Sequence, residues 1–150
     1  MWPIRYFEDY EIGNEFISNS RTVTEADITN FACLTCDFHP VHTDAEYAKT
    51  SMFGERIAHG LLGLSFALGM ISNWEFRSSS VMAFLNLEWK FLKPVKINDT
   101  IHAKVSIFDK KDWKTPNRGI IVFSLKVINQ EKEIVAEGKL GELVLKKGEV

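Results

Sequence analysis

Three successive runs in the second half of this chain place an apolar side chain at every second position, and that period decides most of what the chain can become. Leu85, Leu87, Trp89 and Phe91 alternate with Asn86, Glu88 and Lys90. Ile101, Ala103, Val105 and Ile107 alternate with His102, Lys104 and Ser106, and Ile121, Phe123, Leu125 and Val127 with Val122, Ser124 and Lys126. A period of two sends alternate side chains to opposite faces of a sheet, so these runs predict antiparallel strands with one buried and one wet face. Ile134 to Leu145 makes the last strand, with Gly138 and Gly141 as expected bends. Lys93-Pro94 and Asn98-Asp99 punctuate the first join, and Pro116-Asn117-Arg118-Gly119 marks a longer hairpin loop.

Ahead of these strands, Gly60 opens a run from Leu61 to Ile71 that is apolar on every side, which predicts a helix buried all round. The simplest packing wraps the apolar face of the sheet around that helix. The result is an α+β hot-dog fold, a curved antiparallel sheet around one long buried helix. Upstream, Tyr6 to Gly13 reads as irregular and Glu15 to Val23 as a strand. Thr24 followed by Glu25-Ala26-Asp27 matches a helix N-cap with an acidic first turn. Ile28, Phe31 and Ala32 continue at helical spacing. That helix is expected to end near Cys36–Asp37, because Pro40 biases His39 away from the α region. A short helix is expected from Asp44 to Thr50. No linker or repeat divides residues 1–150, which read as one domain. A chain of this length buries roughly 70% of its unfolded surface. A curved sheet leaves open edges, and pairing two copies removes one edge from each, so a homodimer or higher homo-oligomer is expected.

The formal net charge of −2 gives no general attraction to nucleic acid or to an anionic membrane. Cys33 and Cys36 make no disulfide framework and read as small buried residues of the first helix. The opening MWPIRYFEDYEIG lacks the layout of a signal peptide, and the run from Ile57 to Ile71 is shorter than the ~18–20 residues a membrane span needs. A soluble, cytoplasmic protein is the expectation.

Chemistry concentrates between Asp37 and Gly60. Asp37 sits where a helix ends, beside the partial negative charge of the last carbonyls, a position suited to a carboxylate asked to take up a proton. His42 follows five residues later, across Pro40. The break at the proline is expected to turn carboxylate and imidazole toward one shared water, a minimal general acid–base pair. A capping carboxylate and a solvated loop histidine are the plainer alternative. Gly60 opens the apolar helix, where a glycine N–H can approach a ligand closely and donate to a developing oxyanion. Tight helix–sheet packing is the other reading of that glycine. A zinc quartet of Cys33, Cys36, His39 and His42 is the rival on spacing, but paired zinc ligands are usually separated by a longer spacer.

Taken together, Phe31-Ala32, Asp37-Phe38-His39-Pro40-Val41-His42-Thr43-Asp44, Phe53-Gly54 and Ile57-Ala58-His59-Gly60-Leu61-Leu62 resemble the hydratase motif of the MaoC-like dehydratases. That group includes the (R)-specific enoyl-CoA hydratases. Phe91-Leu92-Lys93-Pro94-Val95 and Asp99-Thr100-Ile101 extend the resemblance over most of the chain. It implies a hot-dog dimer that interconverts a trans-2-enoyl thioester and an (R)-3-hydroxyacyl thioester. The acyl group would ride on CoA or acyl carrier protein, with no metal and no redox cofactor. It puts the family's catalytic aspartate on Asp37, its histidine on His42 and its oxyanion-hole glycine on Gly60, with His39, His59 and Ser65 as candidate supporting residues. Two positions depart from the pattern: His39 stands where enoyl-CoA hydratases usually carry asparagine, and Leu68 where some bacterial members carry serine. A thioesterase on the same fold, or an acyl-CoA-binding homologue without turnover, are the alternatives. Acyl chain length would depend on a tunnel around Phe66, Met70, Trp74 and Phe76.

Overall fold

The structure is a computed structural model that describes residues 4–72 and 79–148. A single 3-10 turn, Phe7–Asp9, leads into β1 (Glu15–Ile17) and β2 (Arg21–Thr22). Helices α1 (Glu25–Thr35), α2 (Pro40–Thr43), α3 (Ala45–Thr50) and α4 (Gly60–Ser72) follow. Four long strands close the chain: β3 (Val81–Phe91), β4 (Thr100–Asp112), β5 (Arg118–Ile128) and β6 (Ile134–Leu145). The sheet runs β1-β4-β5-β6-β3, with β2 also paired to β4, and every pairing is antiparallel. Helix α4 packs on the face made by β4 and β5, so this is the hot-dog arrangement expected from the strand pattern.

The alternation in β4 and β5 explains that face. Ile101, Ala103, Val105 and Ile107 are buried with Ile121, Phe123, Leu125 and Val127, and they meet Leu62, Ala67 and Ile71 of α4 in one core. Each large aliphatic or aromatic side chain so buried stabilises the fold by ~1.5–3 kcal/mol. The N-cap of α1 also matches its sequence signal: Thr24 and Asp27 form a reciprocal capping box. Thr24 Oγ1 accepts the Asp27 N–H at 3.2 Å, and Asp27 Oδ2 accepts the Thr24 N–H at 2.8 Å.

Several expectations need correction. The strand expected over Glu15–Val23 is broken in two, because Ser18 Oγ takes the Ala103 N–H at 2.9 Å in place of a backbone carbonyl. Helix α1 does end ahead of Pro40, with His39 extended at ψ 131°, but the break is followed at once by α2, where Pro40 takes the first position and its missing N–H costs nothing. Cys33 and Cys36 are exposed, not buried. Helix α1 buries Ile28 and Ala32, one turn apart, which turns Cys33 outward, and Cys36 is the left-handed C-cap at φ 59°.

Helix α4 is not covered on every side. Leu61 is 58% exposed, and Ser65 and Gly69 continue the exposed stripe at four-residue spacing. Strand β3, at the edge of the sheet, leaves Leu85 and Phe91 exposed as well, so its alternation predicts a buried face that one chain does not supply. Gly138 and Gly141 lie inside β6, and its ladder with β3 is bulged between Phe84 and Asn86, opposite Gly141. Its ladder with β5 runs unbroken through both, and each glycine makes room for a neighbour: a Cβ at 138 would lie 2.0 Å from the Glu88 carbonyl oxygen, and one at 141 would lie 2.3 Å from Asn86 Oδ1. Of the four residues expected around the acyl tunnel, Phe66 and Met70 pack partly buried against the core, while Trp74 and Phe76 lie outside the described residues.

Candidate active site

The loop between α1 and α2 is fixed by short-range hydrogen bonds. The αL conformation of Cys36 reverses the chain out of α1. Asp37 N–H donates to Thr35 Oγ1 at 3.3 Å, and Asp37 Oδ1 accepts the His39 N–H at 3.2 Å. His39 then caps α2, its Nδ1 accepting the Val41 N–H at 3.3 Å. One turn of helix carries the chain to His42.

His42 is half-buried, and its Nδ1 lies 2.8 Å from the Ile57 carbonyl oxygen. A carbonyl only accepts, so His42 carries its proton on Nδ1 and its Nε2 presents a lone pair. His59, 4% exposed, stacks on His42 with ring centroids 3.8 Å apart and 28° between planes. Its Nε2 sits 3.0 Å from the Asp37 carbonyl oxygen, so there the proton is on Nε2. One side-chain donor atom from each of Asp37, His42 and His59 lies within 4.8 Å of the other two.

Burial is the main reason the His42 imidazole is pushed below its ordinary value of 6.5, and the neighbouring His59 and His39 push the same way. The Ile57 hydrogen bond and the Asp37 carboxylate oppose them. The side chain is therefore held as a neutral base near pH 7.

A cavity of about 470 Å³ opens beside this cluster. His42, His59, Gly60, Phe91, Lys93 and Val135 are among the residues that line it. Asp37 lies outside that lining, with an exposed carboxylate next to the two imidazoles. Gly60 begins α4 at the cavity wall. Leu62 and Gly63 N–H groups donate to the His59 carbonyl, so the Gly60 and Leu61 amides come before the first intrahelical bonds and point out of the helix end. A side chain at Gly60 would meet the Phe91 ring at 2.7 Å. The close approach of Phe91 accounts for a glycine here, and Gly60 is among the residues that line the cavity.

The structure thus brings Asp37, His42, His59 and Gly60 together, but not the other two candidates. His39 spends Nδ1 on its cap, with its ring 6.2 Å from that of His42. Ser65 is exposed and bonds back to the Leu61 carbonyl. The zinc quartet does not assemble. Among the described residues, the converging set of donors is Asp37, His42 and His59, with neither cysteine. In that set His42 Nδ1 and His59 Nε2 already face the Ile57 and Asp37 carbonyl oxygens. Sequence reasoning missed the Ile57 carbonyl, a backbone acceptor with no residue-type signal.

Comparison with known proteins gives a consistent picture. Residues 9–127 match the MaoC-like domain family. Over 103 residues, 68% of this chain, the sequence is 40% identical to protein MaoC of Klebsiella aerogenes, a stretch that spans 30% of that protein. Over 104 residues it is 36% identical to an (R)-specific enoyl-CoA hydratase of Rhodospirillum rubrum, covering 69% of this chain and 70% of the relative. The fold superposes with a TM-score of 0.93 and 42% identity on a monoamine oxidase regulatory protein from Archaeoglobus, covering 97% of each chain. Among the described residues no helix is long and apolar enough to cross a membrane.

Proposed function

We propose that this chain, which belongs to the MaoC-like dehydratase family, interconverts a trans-2-enoyl thioester and an (R)-3-hydroxyacyl thioester. One observation carries the reading. His42 is held neutral with its Nε2 lone pair free, within reach of the Asp37 carboxylate, beside a cavity that the first amides of α4 enter. Those are the parts that water addition next to a thioester needs.

In the hydration direction the thioester oxygen accepts from the Gly60 N–H. Asp37 and His42 hold one water against the β-carbon. The water oxygen bonds to that carbon, its proton passes to the pair, and the pair returns a proton to the α-carbon. The electron pair of the double bond passes through the thioester enolate, whose negative oxygen the Gly60 amide stabilises. Both transfers come from one face, so addition is syn. No metal or redox cofactor enters any step. The R. rubrum relative, named an (R)-specific enoyl-CoA hydratase, supports the substrate class.

The test is loss of enoyl-thioester absorbance with purified protein, together with chiral analysis of the product and a thiol reagent in parallel. Accumulation of (R)-3-hydroxyacyl thioester is the expected result. Release of free CoA without it favours the thioesterase alternative, and tight binding without turnover favours the non-catalytic one. Because burial depresses His42, the acid limb of kcat/KM is expected below 6.5. A limb at or above that value argues that His42 is not the group that must be neutral.

The working unit in this proposal is a homodimer. Leu61 of α4 and the open edge of β3, with Met82, Phe84 and Leu85 at least 39% exposed, present apolar side chains that a second copy covers. Light scattering of the eluted protein is expected to give twice the 17.2 kDa chain mass; a mass of one chain contradicts it.

A further inference from the structure

The proposed chemistry leaves one buried titratable side chain of the cluster without a task. His59 is 4% exposed, and among the described residues its Nδ1 has no hydrogen-bond partner. A buried polar atom left unpaired is destabilising, and a phenyl ring would fill the same space without it. Packing alone therefore does not account for an imidazole at this place. Its other nitrogen does: Nε2–H reaches the Asp37 carbonyl oxygen at 3.0 Å, across 22 positions of sequence. Its ring face lies against His42 at 3.8 Å, and the Phe31 ring is also next to it, tilted by 52° with centroids 5.1 Å apart.

We propose that His59 is a positioning residue for this site: its Nε2–H fixes the Asp37 main chain and its ring fixes the plane of the His42 imidazole. The inference rests on the hydro-lyase reading. Apart from His59, the hydrogen bonds described for the aspartate loop are local ones, with Thr35, His39 and Thr43. Without His59, the His42 ring would be held by a single bond at Nδ1, about which it can swing. A shared water tolerates little of that, since a misplacement of about 1 Å costs ~10²-fold in rate. His59 also acts on the titration of His42, together with the other charged or titratable groups that face it. These are Asp37 in the preceding loop and His39 at the cap of α2, with Lys93, on the β3–β4 connection, lining the same cavity and paired to Glu133.

Two substitutions separate the parts of this role. His59→Phe keeps the ring face and removes the donor. His59→Gln removes the ring, while its amide nitrogen reaches about as far as the imidazole Nε2 and keeps the donor. His59→Phe is expected to lower kcat by ~10–100-fold with KM for crotonyl-CoA nearly unchanged. His59→Gln is expected to recover part of that loss. In both, the acid limb of kcat/KM moves to higher pH, because the second imidazole no longer disfavours protonation of His42. Folded variants that keep both kcat and the pH profile of the parent overturn the proposal. So do variants that lose rate with no change in profile and no recovery by glutamine, the signature of packing alone.

Nitrogen NMR of the unsubstituted protein covers the case in which the variants do not fold. His59 is expected to carry its proton on Nε2 and His42, near neutral pH, on Nδ1; a proton on Nδ1 alone of His59 overturns the clamp. That spectrum needs no turnover. An unsubstituted protein that is inert toward enoyl thioesters yet shows these tautomers removes the hydro-lyase reading and leaves the clamp standing. The reverse result does the opposite.

Discussion

Replacing His42 with alanine is expected to slow hydration of a trans-2-enoyl-CoA by ~10²–10⁴-fold, with the fold intact. A loss of that size corresponds to about 2.7–5.4 kcal/mol of barrier. The structural cost is smaller. His42 is only half-buried, and its one described hydrogen bond goes to the Ile57 carbonyl, so removing it costs ~1 kcal/mol of stability. The two effects separate cleanly: a thermal melt close to that of the parent beside a collapse in turnover identifies chemistry rather than unfolding. Asp37→Asn is the matching change on the other side of the water. Its Oδ1 can still accept the His39 N–H, so the loop survives and only the charge is lost. Loss of turnover in the same range is expected. Parental activity in both variants means that the site lies elsewhere.

The largest expected effect on stability lies in the sheet, at Gly138→Ala. The added Cβ would sit 2.0 Å from the Glu88 carbonyl oxygen and 2.6 Å from Trp89 Cε3. The first of these is a backbone atom in the β3–β6 ladder, where Gly138 faces Trp89, and it cannot rotate away. Strand β3 must therefore shift or the pairing open. The expected cost is about 3 kcal/mol, which lowers the melting temperature by ~6–12 °C in a chain of this size. Gly63→Ala is the contrast. Nothing lies within 4 Å of its added methyl, and it sits inside α4, so the substitution is expected to be neutral or to stabilise by up to ~1 kcal/mol. Equal melting temperatures for the two variants would contradict the close-approach reading of Gly138.

These glycines show how far the chain could be read without coordinates. Local rules worked where a residue's partner is near in sequence or where a period repeats. The Thr24–Asp27 capping box and the buried faces of β4 and β5 are both visible in the letters. Reading failed where the partner is distant. Gly138 reads as a bend, yet it answers to a carbonyl on a strand some 50 positions away. Cys33 reads as buried because cysteine usually is, but Ile28 and Ala32 decide which side of α1 faces inward. The exposure of Leu61 on α4 and of Leu85 on β3 likewise has no signal in the apolar run or the alternation.

The candidate site divides in the same way. Asp37, His42 and Gly60 carry recognisable residue types at a telling spacing. Pro40, read as ending the first helix, also begins the single turn that presents His42. Such a turn is too short to be stable alone, and it is held in part by the Ile57 carbonyl. The stack of His59 on His42 has no sequence signal beyond the presence of two histidines 17 positions apart.

The pairing of Asp37 and His42 on one water is tested most directly by the double variant Asp37→Asn/His42→Ala, assayed with crotonyl-CoA beside the two single variants. Groups that act as a unit lose nearly everything when either is removed, so the double variant is expected to be no slower than the worse single one. Losses that multiply would mean that the two side chains act independently, and would contradict a shared water between them.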